Sequence, residues 1–119
     1  KLIMVSLRTP ESKKRYQQYL KNEIQTSNCP LCEKEMIKSF KYWKVSDNTF
    51  PYDQIAKTHH MFIPTRHVSE QKLNAEELEE LKVIKESFIN TEYDWIIETT
   101  PKNKSIPDHF HLHLIIGKS

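Results

Sequence analysis

The run His109-Phe110-His111-Leu112-His113-Leu114 alternates imidazole and apolar side chains without a break. Alternation with a period of two is the strand repeat, so His109, His111 and His113 project to one face. Phe110, Leu112, Leu114 and Ile116 point to the other face, where they must bury against a core. A row of imidazoles does little for stability. It is, however, a good way to hold a nucleophile, a proton donor and a ligand two residues apart on one rigid element. The plainer alternative is a polar face or metal tract that happens to be histidine. Clustering weighs against it, because three of the six histidines fall within five residues.

A chain of 119 residues implies one domain, and 37% hydrophobic against 29% charged residues suits a globular protein with a modest core. Lys+Arg 18 against Asp+Glu 16 leaves +2, which gives no electrostatic reason to expect a nucleic-acid partner. The sole glycine, Gly117, excludes both the Walker loop and the G-x-G-x-x-G dinucleotide turn. Any phosphate must therefore be held by side chains, helix ends or a glycine-free loop. No apolar run approaches the ~18 residues of a membrane-spanning helix, and none resembles a secretory signal, so no membrane partner and a cytoplasmic location are expected. Cys29 and Cys32 are the only cysteines and form a C-x-x-C pair. In that setting metal binding or redox chemistry is favoured over a disulfide scaffold.

Residues 10–25 read as a polar helix with a thin stripe of Tyr16, Leu20 and Ile24. Strands are expected at 40–45, 58–63, 93–99 and 109–116, with turns at 27–33 and loops at 46–53 and 100–108. The clearest helix starts at Asn74, an N-cap that Glu77 completes as a capping box, with Leu73 and Leu78 as a hydrophobic staple. Leu78, Leu81, Ile84 and Phe88 supply its apolar face to about Ile89. This order predicts an α+β domain: a mainly antiparallel β-sheet with one long helix on a face, plus an N-terminal helix. Residues 1–26 read as a helical extension and 27–119 as the domain proper.

The triad run, His109 to Ile115, resembles the signature of the histidine-triad (HIT) superfamily, H-x-H-x-H followed by two apolar residues. His59-His60-Met61-Phe62-Ile63-Pro64-Thr65-Arg66-His67 is similar to the family's strand and I-P-x-x-H segment. Asn48, three before Pro51, stands where the family has its ribose-contacting Asn or Asp, with Asp47 as the neighbouring alternative. The resemblance spans roughly residues 28–117 and implies chemistry at the α-phosphorus of a nucleotide or dinucleoside polyphosphate substrate. His111 would attack to give a nucleotidyl-histidine, with His113 and His109 as its catalytic neighbours. Neutral imidazole is a competent nucleophile near pH 7, and a covalent intermediate splits one hard displacement into two. Phe50 and Tyr52 are the candidate base contacts. Where many members have a glycine-containing loop, this chain has Lys102-Asn103-Lys104-Ser105-Ile106-Pro107-Asp108, in which Ser105, Lys104 or Asn103 are the substitutes. The resemblance also brings homodimer formation, which would bury strand edges.

A C-x-x-C needs two more ligands to close a tetrahedral zinc site. In zinc-containing branches of the family these are a histidine on the strand before I-P and the first triad histidine. The resemblance thus implies structural zinc at Cys29, Cys32, His59 and His109, with His60 as the fallback for His59. A redox C-x-x-C and a pair of buried reduced thiols are the alternatives. His67 reads as a hydrogen-bonding loop residue, and Arg66 as one half of an exposed salt bridge. A non-catalytic nucleotide- or zinc-binding module is the rival to the enzyme, followed by a DNA end-processing deadenylase.

Overall fold

The central strands β3 (Ala56–Pro64) and β5 (Leu112–Gly117) pair antiparallel, with His59 opposite Ile115 and Met61 opposite His113. This computed structural model describes residues 6–23, 29–104 and 106–119. Outside the central pair lie β2 (Trp43–Asp47) and the two-residue β1 (Lys38–Ser39) on one side, and β4 (Trp95–Ile97) on the other. The order is β1-β2-β3-β5-β4 and every neighbouring pair is antiparallel. Helix α1 (Pro10–Glu23) precedes the sheet. Helix α2 (Ala75–Ile84) continues through a π-type turn, Lys85–Ile89, into a last turn at Asn90–Glu92. The fold is the expected α+β one.

Strand alternation sorts the two faces. Phe110, Leu112 and Leu114 are buried with Val45, Phe62, Ile84 and Ile89 on the helix side of the sheet. Trp43 stacks on Phe62 at 4.6 Å and 3°, and its indole N–H donates to the Glu77 carbonyl at 2.9 Å, which ties α2 to the sheet. Fully burying aromatic side chains of this size contributes roughly 2–3 kcal/mol each. The opposite face carries His59, Met61, Ile63, His109, His111 and His113, all buried. A bare imidazole face was expected; here it is covered, and the triad histidines are at most 7% exposed.

The capping box at α2 forms as predicted. Asn74 Oδ1 accepts from the Glu77 N–H at 2.8 Å, and Glu77 Oε1 accepts from the Asn74 N–H at 2.9 Å. Glu77 is nonetheless buried while Leu78, read as core, is half exposed. The reason is Arg66, whose Nε and Nη2 both donate to the Glu77 carboxylate at 2.9 Å and draw it inward. The final strand begins at Leu112 rather than 109, so His109 and His111 sit just ahead of the paired ladder. The last residue of the α1 stripe, Ile24, lies outside the described residues.

Candidate active site and metal centre

Four donor atoms converge at the start of the triad. Cys29, Cys32, His67 and His109 place one ligand atom each within 4.8 Å of all the others. His109 Nδ1 is 3.5 Å from Cys29 Sγ and 3.4 Å from Cys32 Sγ, and His67 Nδ1 is 3.3 Å from Cys32 Sγ. The cysteines sit on a turn closed by the Cys32 N–H to Cys29 carbonyl bond at 3.2 Å, with Leu31 buried against Met61 and Ile63 as its anchor. Lys44, buried on β2, donates to the Cys32 and Lys34 carbonyls and holds the turn from below. His109 Nε2 lies 3.0 Å from the Pro64 carbonyl. A carbonyl only accepts, so Nε2 carries the proton and Nδ1 offers its lone pair to the thiols.

These four residues are close enough to hold a metal ion, and three of their six donor separations can be compared with a tetrahedral centre. A tetrahedral centre with metal–sulfur bonds of ~2.3 Å and metal–nitrogen bonds of ~2.0 Å separates its ligand atoms by about 3.3–3.8 Å. The three short Sγ–Nδ1 separations fall in that band, and all four donor atoms lie within 4.8 Å of one another. Burial and then the Cys29 thiol push the Cys32 thiol above its ordinary value, so forming both thiolates calls for a compensating cation. His59 is not part of the group, contrary to expectation. It lies farther back along β3, hydrogen-bonded to other partners, and His67 takes its place because the chain turns back after Pro64. His60, the fallback, faces the helix side and bonds the Tyr93 hydroxyl at 2.7 Å.

Beside the metal group, two imidazoles are hydrogen-bonded in series and a third, His111, packs against them. The Tyr52 N–H donates to His59 Nδ1 at 2.9 Å, so a neutral His59 carries its proton on Nε2. That Nε2–H donates to His113 Nδ1 at 2.8 Å, which leaves His113 protonated on Nε2, 3.3 Å from the Tyr52 hydroxyl and 3.5 Å from Thr99 Oγ1. His111 Nδ1 is 3.0 Å from the His109 carbonyl and is therefore the protonated nitrogen. Its Nε2 carries the lone pair, with no hydrogen-bond partner among the described residues. The tautomer of His111, beyond reach of the sequence, follows from this acceptor.

Burial pushes all three imidazoles toward the neutral form. Desolvation, aided by the Arg8 charge, lowers His59 to about 3. Desolvation and then His59 lower His113 to about 2. His111 is lowered by burial and by Lys104, against the hydrogen bond to the His109 carbonyl. An unfolded histidine takes up its proton near pH 6.5, so below that pH the unfolded chain binds more protons than the folded one. The stability that His59 and His113 leave intact above pH 6.5 is thus lost as pH falls toward their folded values. Each contributes up to about 1.4 kcal/mol per pH unit, several kcal/mol for the pair by pH 4.5. Denaturant melts between pH 7 and 4.5, run with and without a chelator, should both show this fall. A midpoint independent of pH in the chelated protein would contradict the assignment.

A cavity opens onto His111 and His113, lined also by Asn48, Phe50, Leu31, Met61, Tyr16 and Tyr19. Asn48 Oδ1 accepts from the Phe50 N–H at 2.8 Å, and Asn48 Nδ2 lies 3.1 Å from His59 Nε2. Asp47 is exposed at the end of β2, and its carbonyl accepts from Lys34 Nζ at 3.0 Å; its side chain is not among those lining the cavity. Ser105 lies outside the described residues. Tyr52 is buried against His59 and His113 rather than facing this cavity. Trp95 on β4 is half exposed.

Sequence reasoning missed what covers the site. The Asp53 carboxylate accepts from the Thr9 N–H at 2.7 Å, from Thr9 Oγ1 at 2.9 Å and from the Ser12 hydroxyl. Desolvation pushes this carboxyl up, but the Ser12 and Thr9 hydrogen bonds outweigh it and hold Asp53 at about 2. Tyr16 and Tyr19 then pack on Phe50 at 5.4 and 4.8 Å. These contacts join residues more than 30 apart in the chain, so no local pattern marks them.

No family model matches this chain, and no curated protein does. Solved structures do. The chain is similar to a HIT family hydrolase from Legionella pneumophila Philadelphia 1, with TM-score 0.53 and 20% identity over 77% of this chain and 95% of that one. It is similar to a HIT family hydrolase from Clostridium thermocellum, with TM-score 0.54 and 18% identity over 80% and 94%. A histidine triad protein from Clostridium difficile aligns with TM-score 0.52 and 15% identity over 80% and 94%. The chain therefore has the histidine-triad fold. No helix among the described residues is long and apolar enough to cross a membrane.

Proposed function

We propose that this protein is a nucleotide hydrolase or nucleotidyltransferase that acts at the α-phosphorus of a nucleoside phosphate derivative. The observation that carries this reading is the hydrogen bond from His111 Nδ1–H to the His109 carbonyl, which leaves Nε2 as a free lone pair on a buried, neutral imidazole. Nε2 forms the bond to phosphorus while the leaving group departs with the electrons of its own bond. Water then brings oxygen to phosphorus, releases one proton and returns the lone pair to Nε2. His113 Nε2–H donates to a phosphoryl oxygen, where the developing charge is greatest. Asn48 holds the ribose and Phe50 the base. Cys29, Cys32, His67 and His109 hold zinc, a closed site with no open position and therefore a structural one. Bound there, the metal supplies cross-linking rather than chemistry: it fixes the cysteine turn to the start of the triad.

Adenosine and uridine donors carrying a label at the α-phosphorus test this. Release of labelled nucleoside monophosphate, with acid-labile label retained on the protein after a quench, is the expected result. Binding of both donors without release would favour a non-catalytic nucleotide-binding module instead.

A further inference from the structure

The histidine pair has two cavities, not one. The first is the largely apolar one beside Phe50 and Leu31. A second, smaller cavity shares His111, His113, Arg8 and Tyr16 with the first and is lined further by Asn103, Lys104, Tyr52 and Thr99. Among the described residues neither cavity is lined by an acidic side chain, while Arg8, Lys34 and Lys104 contribute cations.

Arg8 is placed with care for a residue so near the start of the chain. Its Nε donates to the Phe50 carbonyl at 2.9 Å, and its guanidinium lies over Tyr16 at 4.0 Å and Tyr52 at 4.7 Å. Among the described residues no carboxylate lies within ion-pair distance, and neither Nη group makes a hydrogen bond. The Asp53 clamp on Thr9 and Ser12 sits next to it and fixes its position. Lys104 also lines this cavity, with its side chain 9% exposed; its one described ion pair, to Glu70, is long at 3.9 Å. Arg8, with no described counter-ion, and Lys104, whose ammonium has a long pair to Glu70 and lies 5.5 Å from the Phe110 ring centroid, both line one cavity with polar walls and make a site for an anion.

We propose that residues 6–23 are part of the active site: with Lys104, Arg8 forms a cationic subsite that selects donors whose leaving group is an anion. This rests on the proposed function and narrows it. The substrate's nucleoside lies on the Phe50 side, its scissile bond at His111, and its phosphate-bearing leaving group between Arg8 and Lys104. As Nε2 bonds to phosphorus, the P–O bond breaks and its electron pair stays on the departing oxygen, whose new negative charge faces the guanidinium and the ammonium. No proton is needed. An amine leaving group would instead have to be protonated, and His59 and His113 hold no spare proton near neutrality.

The experiment uses the full metal-loaded chain and two donors that share AMP, diadenosine tetraphosphate and adenosine 5′-phosphoramidate, with inorganic pyrophosphate as a binding probe. Wild type should favour the anhydride in kcat/KM by tenfold or more. Arg8→Gln and Lys104→Gln should each reduce that preference tenfold to a hundredfold, and weaken pyrophosphate binding by a similar factor. Lys104→Gln leaves the Asp53 clamp and the aromatic contacts of Arg8 intact, so it decides the matter even if Arg8→Gln unseats α1. A preference for the amidate, or an equal loss on both donors, overturns the subsite. If neither donor turns over, the proposed function fails. Pyrophosphate binding then decides alone: binding weakened in both variants sustains the subsite, and no binding by wild type overturns it.

Discussion

His111→Ala is expected to lower nucleoside monophosphate release by at least about a thousandfold, about 4 kcal/mol of barrier, and to abolish acid-labile label on the protein. Among the described imidazoles, His111 is the one lining both cavities whose free nitrogen is a bare lone pair. His113 presents an N–H, His59 gives its Nε2–H to His113, and His109 turns its lone pair to the cysteines. None can replace the missing nucleophile. The fold should survive, because the His111 ring borders the cavities and its one described hydrogen bond is to a carbonyl that water can reach once the ring is gone. A loss of about 1–2 kcal/mol in stability is in keeping with that. His113→Ala should cost less, about a hundredfold, because it removes one hydrogen bond from the transition state rather than the reacting atom. If His111→Ala still labels, or if His113→Ala is the more damaging, the order of roles is wrong.

What the sequence made legible was whatever depends on short spacing. The period of two around His111 placed three imidazoles on one face and Phe110, Leu112 and Leu114 in the core, as observed. The Asn74–Glu77 capping box is a four-residue motif and formed as written. The zinc-type ligand set was legible only in part, because histidines stand at two places near Pro64. The family resemblance implied His59, but whether a residue lies beside the cysteine turn depends on where the chain goes after the strand ends. It turns at Pro64, and the Phe110 N–H to Val68 carbonyl bond at 2.7 Å draws that loop against the triad. His67 arrives there in consequence. The docking of α1 left no local trace either. Asp53 and Thr9 are 44 residues apart, and nothing in either stretch alone marks them as partners. The imidazole face that alternation places opposite the core is for that reason a covered one, and the buried histidines owe their lowered proton affinity to long-range packing.

Removing the metal is expected to have the largest effect on stability. The chain should purify with about one zinc per molecule, and a strong chelator or Cys29→Ser should lower the thermal midpoint by about 10 °C or more. The size follows from what the four ligands join. Cys29 and Cys32 hold the turn that leads back toward α1, His67 lies in the loop between β3 and α2, and His109 begins the triad. Among the described residues the cysteine turn is otherwise tied down by Leu31 in its small cluster, by two long bonds from Lys44 and, just beyond it, by Lys34 to the Asp47 carbonyl and Thr49 Oγ1. The effect should also reach the chemistry, through one atom. His109 offers Nδ1 to the thiols while its carbonyl orients His111, so loosening the cluster frees the acceptor that keeps the His111 proton on Nδ1. Turnover should therefore fall about tenfold in Cys29→Ser at temperatures where that variant is still folded, with zinc content and melting measured on the same samples. A protein that purifies with no stoichiometric metal, and whose melting a chelator leaves unmoved, would reduce the four residues to a set of neighbouring thiols and imidazoles. In that case the carbonyl of His109 would have to be held by its Nε2–H bond to Pro64 alone.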